Sequence, residues 1–183
     1  SHLKRNKKKY GICKEVFALQ NNIGHKQIWE IKNSDFMSIL IPTKDKSEIL
    51  ENCIKSIIKF DPKIKFEIII VDNGSKEDKT KQYLNSLKTY NFIKIISEPG
   101  LFNYSYLNNK AALIAKGNVI LLLNNDTEFL YPGWGERLSS VALREGIGCV
   151  GAKLIYDDWT IQHAGVILGL GGVAGHSHKY FDS

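Results

Sequence analysis

The sequence predicts an α/β sandwich with a mainly parallel central sheet, and three observations carry that expectation. Short apolar runs recur at residues 38–41, 66–71, 93–97 and 119–123, each closed by polar or turn-forming residues. Segments with apolar residues at helical spacing separate them. The run Val119-Ile-Leu-Leu-Leu123 has no polar face, as expected of a strand covered by helices on both sides. The resulting order, β-α-β-α-β-α-β-α-β, is that of a layered α/β domain.

Residues 1–36 mix charge, amides and scattered aromatics without a sustained period, which predicts an irregular or short-helical lead-in to a domain over residues 37–183. Residues 38–41 form a first buried strand, closed by Pro42. Asp45 then has the chemistry of a helix N-cap, with Glu48 completing a capping box. Ile49, Cys53 and Ile57 make an apolar stripe beside Leu50, Ile54 and Ile58. Residues 66–71 are a second, isoleucine-rich strand. Asp72-Asn73-Gly74-Ser75 is turn chemistry ending in a cap-competent serine before a helix over residues 76–87. After the third strand at 93–97, Pro99-Gly100 breaks the chain ahead of a helix carrying Tyr104, Leu107, Ala111 and Ile114, with Gly117 as its stop. Asn124-Asn125-Asp126 follows the fourth strand. Pro132 opens a last helix through Leu138 and Val141, Gly146 to Gly148 end it, and residues 149–152 read as a fifth strand.

At 183 residues, 43% hydrophobic and 24% charged, the chain has ordinary globular composition and room for one well-buried domain. No apolar run approaches the roughly 20 residues of a membrane span. The basic cluster from Lys4 to Lys9 lacks the apolar core and cleavage site of a secretory signal and reads as a solvated tail. Three widely spaced cysteines without a Cys-x-x-Cys pair point to a reducing cytoplasm. A net charge of +6 favours anionic partners and is compatible with peripheral association at the inner face of a membrane. Nucleic acid is disfavoured, because the basic cluster is terminal and poor in aromatics.

In open α/β sheets ligands bind beyond the carboxyl ends of the strands. Those positions here read Pro42-Thr43-Lys44-Asp45, Asp72-Asn73-Gly74-Ser75 and Asn124-Asn125-Asp126. Carboxylates after three neighbouring strands would converge on one crevice, a costly arrangement unless a base, sugar hydroxyls or a cation satisfies them. Capping by Asp45 and Ser75 and turn formation by Asp72 are compatible with that role. Asp126, after a wholly apolar strand, suits Mg²⁺ or Mn²⁺, hard cations that keep water and bind substrate phosphates.

The ordered set Ser38-Ile-Leu-Ile-Pro-Thr43, Ile69-Ile-Val-Asp-Asn-Gly-Ser75, Asn109 through Ala115-Lys116-Gly117-Asn118, and Leu123-Asn-Asn-Asp-Thr-Glu128 resembles the inverting family 2 glycosyltransferases. The later runs Val150-Gly-Ala-Lys-Leu-Ile-Tyr156 and Ile161-Gln-His-Ala-Gly-Val166 resemble a bacterial, rhamnosyltransferase-like subgroup that builds cell-surface polysaccharide. The resemblance implies a GT-A, Rossmann-like α/β/α fold. It also implies transfer from a nucleoside diphosphate sugar, UDP- or dTDP-linked, to a glycan acceptor. By position, Pro42, Thr43 and Asp45 would border the nucleoside beside Asp72, and Asn73 would face the base. Asn103 would contact base or phosphate. Asn124-Asn125-Asp126 would stand for the family's Asp-x-Asp motif, with Asp126 and Asn124 on the metal and Asn125 near the ribose. Two amides replace carboxylates there, which keeps a non-catalytic nucleotide-binding module as the alternative. The family's general base lies in an acidic motif downstream of residue 183, so the expectation is a domain truncated before its acceptor part.

Two further patterns are weaker. Residues 169–174 match a G-x-G-x-x-A dinucleotide fingerprint but lack the following helix, second strand and acidic residue; in the resembling family this stretch is a loop near the active cleft. His163, His176 and His178 include a His-x-His pair without a third ligand at recognisable spacing. Asp157 and Asp158 read as turn residues ahead of Trp159.

Overall fold

The computed structural model describes residues 13–18, 25–169 and 173–182, and the chain divides into two units, Ser1–Glu145 and Gly146–Ser183. In the first unit the described residues 13–18 and 25–29 of the lead-in are extended, where an irregular or short-helical segment was expected. β1 (Cys13–Ala18) and β2 (His25–Trp29) pair as an antiparallel ribbon. Trp29 at its end is buried, with the Arg144 guanidinium 4.1 Å above its ring.

The core sheet has the order β5-β4-β3-β6, all parallel, from β3 (Phe36–Thr43), β4 (Lys65–Asp72), β5 (Ile93–Ser97) and β6 (Val119–Leu122). Alternation along the strands divides the apolar residues between two faces. Met37, Ile39, Ile41, Ile68, Ile70 and Val119 pack with Leu50, Cys53, Ile54 and Ile57 of α1 (Ser47–Lys59) and Leu84 and Leu87 of α2 (Asp78–Leu87). Leu40, Ile69 and Val71 pack on the other face with Leu107 and Ala111 of α3 (Tyr104–Ala112). The expected α/β sandwich is therefore formed. Ile49 and Ile58, expected in the α1 stripe, are exposed, because α1 turns only its Leu50/Cys53/Ile54/Ile57 side inward.

Several local expectations are corrected. Asp45 and Lys46 both take left-handed backbone, φ 52° and 53°, so Asp45 cannot cap α1, whose N-cap position falls to Lys46 without a side-chain bond. Ser75 does not cap α2 either, since that helix starts three residues later, after Glu77. α4 (Trp134–Ala142) begins after Gly133 rather than at Pro132, and it ends before Gly146. Gly117 lies beyond the end of α3 and serves close approach instead: a Cβ there would meet Phe36 O and Ser38 N at 2.6 Å. That approach completes a buried polar network. Ser38 Oγ and the Lys116 N–H donate to Glu67 Oε1 at 2.8 and 2.7 Å, Lys94 Nζ lies 2.7 Å from Oε2, and the Gly117 N–H donates to Ser38 Oγ at 2.9 Å.

β6 is not covered on both sides. Ile120 and Leu122 are 43% and 53% exposed, because α3 packs on β3 and β4 and β6 is the terminal strand of this sheet. Residues 149–152 form no strand; Gly148 and Gly151 leave that stretch little side chain to pack.

The second unit is made of short antiparallel pieces. β7 (Leu154–Ile155) pairs with β8 (Ile161–His163), and β9 (Val166–Leu168) pairs with β10 (Ala174–His176). Asp157 and Asp158 lie in the β7–β8 turn as expected, Asp158 Oδ1 accepting from the Thr160 N–H and hydroxyl at 2.9 and 2.7 Å. The Gly169 N–H donates to Val173 O at 2.9 Å, so the described ends of the fingerprint-like stretch extend the β9–β10 pairing. Positions 170–172 of that pattern lie outside the described residues.

Candidate functional site

The first unit's sheet reverses its order between β3 and β6: the chain builds outward through β4 and β5 on one side, then returns over the opposite face by α3 to lay β6 on the other. A crevice at the carboxyl ends of the strands is expected at such a switch point. Two of the expected site residues meet there, Asn125 Nδ2 donating to Thr43 Oγ1 at 3.1 Å. Pro42 and Thr43 are buried at the end of β3.

The β3 and β4 loops are joined by carboxylates that hold backbone. Asp45 Oδ1 accepts from the N–H groups of Lys76 and Glu77 at 2.7 and 2.9 Å, and the Asp45 N–H donates to Ser75 Oγ at 2.8 Å. Ser75 in turn donates from its hydroxyl and N–H to Asp72 Oδ1, at 2.6 and 2.9 Å. The Glu77 N–H bond, joined by that of Lys76 and the nearby lysine charges, holds the Asp45 carboxyl below its ordinary range despite some desolvation. Asp45, Ser75 and Asp72 thus form one chain, and the left-handed backbone at Asp45 and Lys46 is the strained conformation that puts the first link in place.

Asn73 is the most constrained residue of the group. It is 2% exposed; its N–H donates to Thr43 O at 2.9 Å, and its Nδ2 donates to Glu98 O at 2.7 Å. Its Oδ1 is buried without a hydrogen-bond partner. Gly74 beside it has φ 76°, and a Cβ there would press on Pro99 at 3.0 Å. Glu98, which no sequence motif singled out, positions this amide through its carbonyl. Its N–H donates to Asp72 O at 2.9 Å, and its carboxylate takes the Tyr106 hydroxyl at 2.9 Å and Lys110 Nζ at 3.5 Å. The only sequence signal was a carboxylate one residue after a strand.

Asn103 is the N-cap of α3, its Oδ1 accepting from the Tyr106 N–H at 2.9 Å. Asn124 and Asp126 are exposed beyond β6. Beneath them Cys53 Sγ donates to Asn124 O at 3.8 Å, and burial, reinforced by the negative charges of Asp126 and Glu128, pushes its thiol up to about 12. The three carboxylates read from the sequence therefore divide. Asp45 and Asp72 hold the loops, and Asp126 faces solvent. Among the described residues no group of three or more His, Cys, Asp or Glu side chains is arranged to hold a metal ion.

Residues 38–166 match the model of glycosyl transferase family 2. The chain belongs to that family. The uncharacterized protein y4gI of Sinorhizobium fredii is 40% identical over 158 residues, which cover 86% of this chain and 17% of that protein. The O-antigen biosynthesis protein RfbC of Myxococcus xanthus is 35% identical over 148 residues, 81% of this chain and 12% of RfbC. The family 2 chain thus spans less than a fifth of either relative. A mannosyltransferase from Pyrobaculum calidifontis, solved with GDP-Man and Mn²⁺, superposes with a TM-score of 0.53 at 18% identity, over 60% of this chain and 32% of that one. That likeness fixes the fold as GT-A. No helix among the described residues is long and apolar enough to cross a membrane.

Proposed function

We propose that this chain binds a nucleoside diphosphate sugar, UDP- or dTDP-linked, at the β3/β4/β6 crevice, as the donor part of an inverting glycosyltransferase of bacterial cell-surface polysaccharide synthesis. The observation that carries the donor reading is the Asn73 amide: Nδ2 is fixed on Glu98 O, so the buried Oδ1 is left as an acceptor without a donor. An unsatisfied buried acceptor costs about 1–3 kcal/mol, which a base N–H would recover. Uracil and thymine offer a ring N3–H at that edge, where adenine offers an unprotonated N1 beside its exocyclic amine. The biosynthetic setting is supported by the name of the Myxococcus relative.

Asp126 with Asn124 is the proposed seat of Mg²⁺ or Mn²⁺. One exposed carboxylate and an amide oxygen suit a hard cation that takes its remaining ligands from water and diphosphate. Such a cation supplies charge neutralisation for the departing diphosphate. Pro42, Thr43 and Asn125 then border the nucleoside and ribose, and the Asp45-Ser75-Asp72 chain keeps the loops in register. Asp45 and Asp72 each spend Oδ1 on backbone or serine donors, which fixes them beside the nucleoside they are proposed to border and leaves neither as the proposed general base. Calorimetric titration at matched salt tests the reading: UDP or dTDP should bind more tightly than ADP or NAD. NAD binding as tight as UDP would overturn it.

The second reading, a nucleotide-binding module without transfer chemistry, is favoured by the two amides at Asn124 and Asn125 and by the lack of a three-ligand cluster among the described residues. Nucleotide affinity indifferent to Mn²⁺ would select it.

A further inference from the structure

The second unit carries a shallow cleft of about 390 Å³ lined by Leu154, Tyr156, Gln162, His163, His176 and Lys179. Each polar residue of its lining, Tyr156, Gln162, His163, His176 and Lys179, can donate a hydrogen bond, one is a cation, and none is a carboxylate. His163 of β8 and His176 of β10 meet edge to face, with their Nδ1 atoms 2.9 Å apart and ring planes at 86°. In such a contact one Nδ1 donates and the other accepts, so the accepting ring carries its proton on Nε2 and keeps a donor there.

Lys179 is delivered by strained backbone. The residues on either side of it, His178 and Tyr180, have φ 56° and 69°, a conformation bulky residues adopt only when their surroundings enforce it. The enforcement is visible: Tyr180 N–H donates to Ile161 O and Ile161 N–H to Phe181 O, each at 2.8 Å, which ties this segment to the strand that bears His163. Tyr156 and Tyr180 stack with their rings 11° from parallel, and Lys179 Nζ sits 4.9 Å over the Tyr180 ring. The Tyr180 and Tyr156 hydroxyls hold the Lys179 ammonium above its ordinary range, so it stays charged.

We propose that the His163–His176 pair, Gln162 and Lys179 form an oxyanion subsite for a phosphoryl or diphosphoryl group. A metal site is the weaker use of the same histidines. Only two imidazoles are present, and the adjacent ammonium repels a cation while it attracts phosphate.

The test is a titration of the whole chain with inorganic pyrophosphate, in EDTA and at constant ionic strength, followed on the imidazole resonances assigned with His163→Gln and His176→Gln. Both rings should shift saturably. Lys179→Met should weaken the response about tenfold, the loss of one charge-assisted contact, while Lys153→Met, outside the cleft, leaves it unchanged. The same spectra report whether each variant is folded. Displacement of pyrophosphate by UDP would assign the oxyanion to a nucleotide, and displacement by a short alkyl diphosphate to a chain-linked group. The site is overturned if neither displaces it, if Lys179→Met and Lys153→Met behave alike, or if Zn²⁺ shifts the rings and pyrophosphate does not.

Discussion

Asn73 and Asp126, the side chains proposed to meet the base and the metal ion, are held in different ways. Asn73 is buried, oriented by Glu98 and short of one donor; Asp126 is exposed and held by its position at the end of a strand. Asn73→Ala removes the acceptor, and we expect nucleoside diphosphate affinity to fall about tenfold with the preference for uridine over adenosine narrowed. Calorimetry with UDP and ADP reads both effects, and an unchanged preference would remove Asn73 from base recognition. Asp126→Ala should abolish the Mn²⁺-dependent part of nucleotide affinity while changing stability by no more than about 1 kcal/mol, as for exposed loop positions generally. Asn124→Ala should weaken the same effect less, because an amide is a neutral ligand. Metal dependence that survives Asp126→Ala would refute the assignment.

Between neighbouring elements, Glu67 ties β3, β4, β5 and the segment after α3 together. Burial pushes its carboxyl up, but the Lys94 ammonium, the Lys116 N–H and the Ser38 hydroxyl outweigh it, and the net direction is down from the ordinary 4.5. A lowered folded value means the contribution is complete above the ordinary range and disappears as pH falls through the folded value. Glu67→Gln should therefore lose about 2 kcal/mol at neutral pH, with the gap to wild type closing in acid; urea denaturation across pH would detect a gap that fails to close. Cys53, raised to about 12, should resist alkylation in the native protein and react only on unfolding, which peptide mapping resolves. Elements of this kind were legible in the sequence where apolar pattern decides them. The third strand has its expected bounds, Ile93–Ser97, and α1 buries the Leu50/Cys53/Ile54/Ile57 stripe. Tertiary bonds were not legible. Asp45 looks like a cap until the α2 entry, 31 residues later, claims its carboxylate. Asn73 was picked out by position, but its direction depends on the Glu98 carbonyl, 25 residues away. The ribbon of β1 and β2 had no period to announce it, since its strands pair with each other, and Trp29 at its end is buried.

For the first unit as a whole, that burial makes residues 25–29 part of the folded body. Trp29 is 4% exposed under Arg144, so Trp29→Ala leaves both a cavity and a guanidinium without its ring. We expect a loss of about 3 kcal/mol in urea unfolding, where a ribbon attached only loosely would show almost none.

The same loop that orients Asn73 also governs how the protein ages. Asparagine followed by glycine is the pair in which the next backbone nitrogen most readily attacks the side-chain carbonyl, expelling ammonia to give a cyclic imide that water opens to aspartate or isoaspartate. Here Asn73 precedes Gly74, yet its amide is clasped by the Glu98 carbonyl and its own N–H by Thr43, so the folded chain resists that rearrangement. Deamidation at residue 73, followed by mass spectrometry during storage, should accordingly be slow in native protein and rapid in urea. Its appearance would mark the fraction of molecules in which the crevice has opened.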